Sequence, residues 1–251
     1  MGRHRHVVNV RADGIAVVLG PLLRDERIVA AALVDVESGM VLGLGTGSTA
    51  AFVVSRVGEL ISTGELEDVR GVATSARTAA LAEEVGVPLV TLAKARPEVT
   101  IDGADEIGPD LGLIKGGGGS LLREKIVAHA TEPGGLVVVA DESKLVVSLG
   151  EHPLPVEVEP FGWEATLQDL YSLGCEPELR MDPTKRESPF VTDGGHYTAD
   201  CRFVSIPDPG GLEREVKSIP GALECGLFVG LARVAVVSHP DGTEFVEASP
   251  R

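Results

Sequence analysis

Cysteine is scarce, with three residues in 251, at positions 175, 201 and 225. Their odd number and wide spacing give no closed disulfide framework and no Cys-x-x-Cys metal or redox motif, so the thiols read as buried side chains. Positive charge is short as well. The formal net charge is −16, no Lys/Arg run or basic helix offsets it, and such a chain repels phosphate backbones, so no nucleic-acid partner is expected. No apolar stretch approaches the ~20 residues that a membrane-spanning helix needs. The first 20 residues also lack the apolar core of a signal peptide. A cytoplasmic protein with no membrane partner is the expectation. The histidines are scattered, apart from His4 and His6 in a basic N-terminal stretch that reads as a frayed extension over residues 1–20 rather than a ligand pair. No repeat or low-complexity segment appears.

What is present is a chain long enough for a sizeable core, 43% hydrophobic, and divisible into one large or two modest domains. From residue 23 to 150, helix-like and strand-like runs alternate in the manner of a doubly wound parallel sheet. Helical spacing is expected over Arg27–Val36, over Ala50–Ile61 with Phe52, Val53, Val57 and Leu60 on one face, over Ala76–Val85 and over Leu121–Ala130. Strands are expected at Met40–Gly43, Val69–Ala73, Pro88–Leu92, Val99–Ile101, Leu111–Ile114 and Leu136–Ala140.

After Pro153 the pattern changes to period two in Pro155–Glu159, then to a helix bearing Leu167, Leu170, Tyr171 and Leu173, stopped by Gly174. Strands near Glu178–Met181, Phe190–Thr192 and His196–Phe203, a turn at Asp193-Gly194-Gly195, a helix with Leu212, Val216 and Ile219, and a strand at Gly226–Val229 complete a β-α-β-β-α-β order. Val234–Val237 is expected to return to the first sheet as an edge strand. The fold class is therefore α/β: a mostly parallel, Rossmann-like sheet with an inserted, smaller ferredoxin-like α+β domain. The division expected is 1–152 with 232–251 for the larger domain and 153–231 for the insert.

The chemistry concentrates in a few clusters. Gly45-Thr46-Gly47-Ser48-Thr49 stands between a strand and a helix, where successive main-chain N–H groups, hydroxyls and the helix dipole can hold phosphate. A dinucleotide fingerprint would want a third glycine where Ser48-Thr49-Ala50 stands and an acid where Thr74-Ser75-Ala76-Arg77 stands; a Walker loop would want Gly-Lys-Ser/Thr. Asp102-Gly103-Ala104-Asp105 presents two carboxylates three residues apart, able to face one crevice, with Glu106 as the solvent-facing acid. Lys115 abuts four glycines, Gly116 to Gly119, a run that suits main chain approaching a ligand closely. Glu124 falls in the first turns of the next helix, where the dipole favours its carboxylate and burial would raise its pKa toward that of a general base. Arg123 and Lys125 read as more exposed, Arg123 within reach of a phosphate. These clusters and Lys144 each follow an apolar run, and ligands of open α/β sheets bind beyond the carboxyl ends of strands.

The same segments resemble the ribose-5-phosphate isomerase type A family. The run Asp102–Lys125 resembles its signature, and the order continues through Gly43–Ala50, Ala140–Lys144, Pro153–Glu157, Gly174–Arg180, Val191–Gly194, Ile219–Gly221 and Gly226–Phe228. The resemblance implies a cofactor-free and metal-free isomerase of sugar phosphates, assembled as a homodimer or homotetramer. It assigns Glu124 as the base that moves a proton between C2 and C1 through a cis-enediolate. Asp102 and Asp105 match acids that assist ring opening, and Lys115 matches the cation that stabilises the oxyanion. Thr46, Gly47, Ser48, Thr49, Asp102, Gly103, Ala104, Asp105, Lys115, Gly116, Gly117, Gly118 and Lys144 match substrate-binding positions. The family's first-helix lysine is replaced by Asp25 or Glu26, flanked by Arg24 and Arg27. Sugar-phosphate-sensing regulators, sugar-phosphate deaminases and CoA transferases share the fold and remain alternatives.

Overall fold

The computed structural model describes residues 28–29, 31–185 and 187–247. The N-terminal histidines and the basic residues at 24 and 27 lie outside these. Its largest sheet combines β1 (Val41–Leu44), β2 (Arg70–Ala73), β3 (Val99–Gly103), β6 (Leu136–Asp141), β12 (Ala232–His239) and β13 (Gly242–Glu247), in the order β13-β12-β6-β3-β1-β2. All neighbours are parallel except β12 with β13. The expected near-continuous apolar strands form its centre, because a parallel sheet is covered on both faces.

Helix α1 (Ser48–Thr63) packs Val53, Val54 and Val57 into the core, each burial contributing about 1.5–3 kcal/mol. It ends at Gly64, which takes the left-handed conformation at φ 78° and donates to Leu60 and Ile61 carbonyls. Phe52, expected on that buried face, is exposed. Helix α2 (Ala76–Glu84) starts at Ser75, whose hydroxyl accepts from the Thr78 N–H. Helix α3 (Leu121–Ala130) follows the glycine run. Of the first expected helix, Ile28, Val29, Ala31 and Ala32 are helical and the chain turns at 33–35.

A four-stranded antiparallel sheet of β7 (Leu154–Val158), β8 (Glu176–Leu179), β9 (Tyr197–Arg202) and β10 (Ala222–Cys225) has the order β10-β7-β9-β8. Helices α4 (Trp163–Tyr171) and α5 (Pro209–Lys217) connect its strands, in the expected β-α-β-β-α-β arrangement. All three cysteines are buried, as expected, and unbridged.

Several expectations are corrected. Leu111–Ile114 and Gly226–Val229 do not extend the large sheets. Two-residue strands β5 (Leu113–Ile114) and β11 (Leu227–Phe228) join β4 (Glu106–Ile107) in a separate antiparallel sheet, β11-β5-β4. The turn Gly108–Gly112, with Leu111 at φ 55°, shortens β5 and folds it back on β4. Phe190–Thr192 forms no strand: beside the Met181–Pro189 bridge, where proline offers no N–H for a ladder, it makes only isolated backbone bonds, the Phe190 N–H donating to the Arg180 carbonyl (2.8 Å) and the Thr192 N–H to the His196 carbonyl (2.9 Å). Pro88–Leu92 similarly makes one bridge, Leu89 with Gly71. Finally, β12 lies inside the sheet and β13 is the edge, its charged Glu244 and Glu247 suiting a strand open on one side. Tyr171 is exposed rather than packed with Leu170.

Candidate active site

Because β1, β3 and β6 run parallel, their carboxyl ends open on one side, and a cavity of about 180 Å³ lies there. Thr46, Gly47, Ser48, Thr49, Gly103, Ala104, Asp105, Lys115, Gly116, Gly118, Glu124 and Lys144 line it, so most of the positions singled out in the sequence converge. Lys115 arrives from the small antiparallel sheet, not from the parallel one. Its backbone is clamped there by its N–H donating to the Gly226 carbonyl, 2.9 Å.

At the floor are three buried charged side chains. Lys115 Nζ lies 3.0 Å from Asp102 Oδ2 and 3.1 Å from Glu124 Oε2, and donates to the Gly103 carbonyl at 2.5 Å. Asp102 does not point into the cavity beside Asp105. Its Oδ1 accepts from the N–H groups of Thr46 (3.0 Å) and Gly103 (2.8 Å), so both oxygens are taken up in holding the loop and the lysine. Gly45 permits that approach: a Cβ there would stand 2.3 Å from Asp102 Oδ1. Asp105 lines the cavity and is held by the Gly117 N–H, 2.7 Å from its Oδ2, which is where Gly117 sits, just behind the lining.

Glu124 is poised differently. Despite the ion-pair distance, its Oε2 has no in-line hydrogen-bond donor among the described residues. Burial pushes its pKa up to about 7, against the pull of Lys115 and with the help of the Asp102 charge. Burial also raises Asp102, opposed by Lys115 and by the two backbone donors. For Lys115, desolvation is outweighed by the two carboxylates, so its ammonium is stabilised. One cation faces two acids. Asp102 holds the better donors, so of the two acids Glu124 is the less firmly held as an anion.

The loop after β1 is braced from below. Thr46 Oγ1 meets the hydroxyls of Thr74 (2.8 Å), Ser75 (2.8 Å) and Thr78 (3.0 Å), and Thr78 in turn donates to the Gly45 carbonyl. Both polar groups of Thr46 ahead of its carbonyl are thus committed to the protein, and Thr46 shapes the loop. Thr74, Ser75 and Thr78 went unassigned in the sequence, where their only signal was hydroxyls in place of a dinucleotide-type acid. Gly47, at φ 119°, leads into α1 with no side-chain cap, leaving first-turn N–H groups and the Ser48 and Thr49 hydroxyls for an anion. Lys144 ends a 3-10 turn, Glu142–Lys144, beyond β6. Asp141 beside it also lines the cavity and was not anticipated; its pKa is lowered chiefly by the Ser143 hydrogen bond.

Three neighbouring expectations are corrected. Glu106 is not solvent-facing: it is buried and accepts from the N–H groups of Gly150 (2.8 Å) and His152. Lys125 is buried and bonded to Glu213 and Glu224, both at 2.7 Å. Arg123 does not reach the cavity lining; it binds the carboxylate and carbonyl of Asp193, at 3.2 and 3.0 Å. Glu213, Glu224 and Cys225 stand close enough to hold a metal, but the ammonium groups of Lys125 and Lys217 already neutralise that cluster.

The family model described as ribose 5-phosphate isomerase A (phosphoriboisomerase A) matches residues 70–242. The ribose-5-phosphate isomerase A of Gloeobacter violaceus is 52% identical over 217 residues, 85% of this chain and 91% of that protein. That of Maricaulis maris is 47% identical over 234 residues, covering 90% and 98%. A solved D-ribose-5-phosphate isomerase in complex with phospho-erythronic acid superposes with a TM-score of 0.86 at 38% identity, covering 89% of this chain and 97% of that one. The ribose 5-phosphate isomerase A of Methanocaldococcus jannaschii gives 0.84 at 39%, covering 89% and 98%.

Proposed function

The chain belongs to the ribose 5-phosphate isomerase A family and is an isomerase of that kind; from that premise we propose that Glu124 is the single base interconverting D-ribose 5-phosphate and D-ribulose 5-phosphate, a step of the pentose phosphate pathway. The observation that carries the reading is a buried carboxylate with a pKa near 7, in ion-pair contact with Lys115 on the wall of a polar cavity. Glu124 takes the C2 proton of the open-chain aldose, and the freed electron pair forms the C1=C2 bond while O1 becomes an oxyanion. Lys115 stabilises that charge, the kind of preorganised contribution that is usually the largest in catalysis. Glu124 then gives the proton to C1, and the O2 hydroxyl proton passes to O1, leaving the ketose.

The first turn of α1 and Lys144 are suited to the phosphate and sugar tail, and Asp105 to ring opening and hydroxyl orientation. Asp102, buried beneath the cavity, serves by holding Lys115. One base serves both carbons, so neither metal nor cofactor is required. The insert at 153–231 is suited to a lid or to homodimer or homotetramer assembly, a reading supported by the exposed Phe161 and Val204 on it.

Incubation with ribose 5-phosphate in deuterated water tests the reaction. Exchange at C2 with conversion to the ketose is the expected result, whereas binding without exchange would mark a sensor. Activity lost in chelator and regained with metal would overturn the single-base mechanism.

A further inference from the structure

Beyond the residues lining the cavity, one side chain from the antiparallel sheet module touches the glycine run. Arg180, just past β8, donates from Nη1 to the carbonyl oxygens of Gly116 and Gly117, both at 3.1 Å. Its other face is locked: Nε and Nη2 bind the two carboxylate oxygens of Asp200, on β9, at 2.8 and 2.5 Å. The Phe190 ring lies 5.8 Å from its guanidinium carbon and closes against Gly119, where a Cβ would stand 2.4 Å from the ring edge. Two-point attachment to Asp200 gives the guanidinium one orientation, which a lysine could not reproduce.

In a trans peptide unit the carbonyl and the following N–H point in opposite directions. The Gly116 carbonyl faces Arg180, and the Gly117 N–H of the same unit accordingly faces the other way, onto Asp105 Oδ2 at 2.7 Å. The Gly117 carbonyl also faces Arg180, so the Gly118 N–H is turned away from Arg180. That N–H has no acceptor among the described residues, and Gly118 lines the cavity. The Gly116 carbonyl has a second donor in the Gly119 N–H, 2.9 Å away, but Arg180 is the donor to Gly117 among the described residues. Glycines have no side chain to hold these planes, and Gly116 at φ 102° has wide backbone freedom.

We propose that Arg180, oriented by Asp200, is a positioning residue for the isomerase: it fixes the peptide planes of Gly116–Gly118, aiming the Gly118 N–H at substrate oxygen and the Gly117 N–H at Asp105. This deepens the isomerase reading and rests on it. Misaiming a donor by an ångström suffices for a large loss of rate with little loss of binding. Arg180→Ala and Arg180→Lys are assayed with ribose 5-phosphate beside the unaltered protein. The expected result is a kcat about 10- to 100-fold lower in both variants with KM changed less than about threefold, and partial recovery of Arg180→Ala by free guanidinium ion. A kcat within about twofold of the unaltered protein, or equal losses in kcat and affinity without guanidinium recovery, would overturn the inference. If Arg180→Ala does not fold, Arg180→Lys, which keeps stem and charge, decides by the same split. An unaltered protein inactive on ribose 5-phosphate would instead remove the isomerase reading itself.

Discussion

Lys115 Nζ stands 3.1 Å from Glu124 Oε2, with both side chains at most 4% exposed. A buried pair this close normally fixes a carboxylate as the anion. Here the one ammonium is shared with Asp102 and the Gly103 carbonyl. Glu124 therefore keeps a charge partner without being saturated by it, which is the condition a reversible proton carrier needs.

The direct consequence concerns Glu124→Gln. The amide is close in shape but cannot accept a carbon-bound proton, so kcat should fall by at least ~10²-fold, the usual scale for losing a general base. Circular dichroism should show an unchanged fold. A variant turning over at the unaltered rate would take Glu124 out of the mechanism.

Stability should depend on pH through the same group. Glu124 titrates at about 7 in the folded chain against an ordinary 4.5. Below pH 4.5 it is protonated in both states and costs nothing; above pH 7 it is ionised in both, and the folded state carries the full penalty. Unfolding free energy should thus decline by about 3 kcal/mol from pH 4.5 to 7 through this group, and Glu124→Gln should lack that part of the decline. Urea titrations of both proteins across that window measure it. The activity should show the opposite trend, with kcat/KM rising through an apparent pKa near 7 as the base form appears.

How much of this was legible beforehand differs by residue. The parallel sheet was readable because its buried strands are near-continuous apolar runs, and Glu124 and Lys115 stood out because the glycines between them carry no side chain and so mark main chain that is closely approached. Two-residue strands such as β5 and β11 have too few positions for any period, and their pairing is set by contacts far apart in sequence. Glu106 looked like a surface acid because its donors are backbone N–H groups at Gly150 and His152, more than 40 residues away. Arg180 and the Thr74, Ser75, Thr78 hydroxyls act through backbone or through Thr46. No spacing rule reports such contacts.

Replacing Lys115 by methionine separates its two roles. It leaves Asp102 and Glu124 buried without a cation, and breaking a buried pair on one side costs about 3–5 kcal/mol. It also removes the influence that lowers the Glu124 pKa, so any residual activity should have its acid limb displaced above pH 7. Denaturant titration and a pH–rate profile check both effects. A Lys115→Met protein as stable as the unaltered one, with its acid limb unmoved, would contradict the charge balance drawn for this cluster.

Lys144 should behave in the contrary way. It lines the cavity and has no ion pair among the described residues, so no buried carboxylate is left exposed to penalty when it is removed. A cation that attracts the anionic tail equally in the ground and transition states contributes uniform binding, which appears in KM and not in kcat. Lys144→Ala should raise KM about tenfold with kcat within about threefold of the unaltered protein, and the difference should shrink as salt screens the attraction. Steady-state kinetics at low and high ionic strength provide the measurement. If kcat fell as it does for Glu124→Gln while KM held, Lys144 would belong with the groups that act on the reacting carbons and not with those that hold the tail.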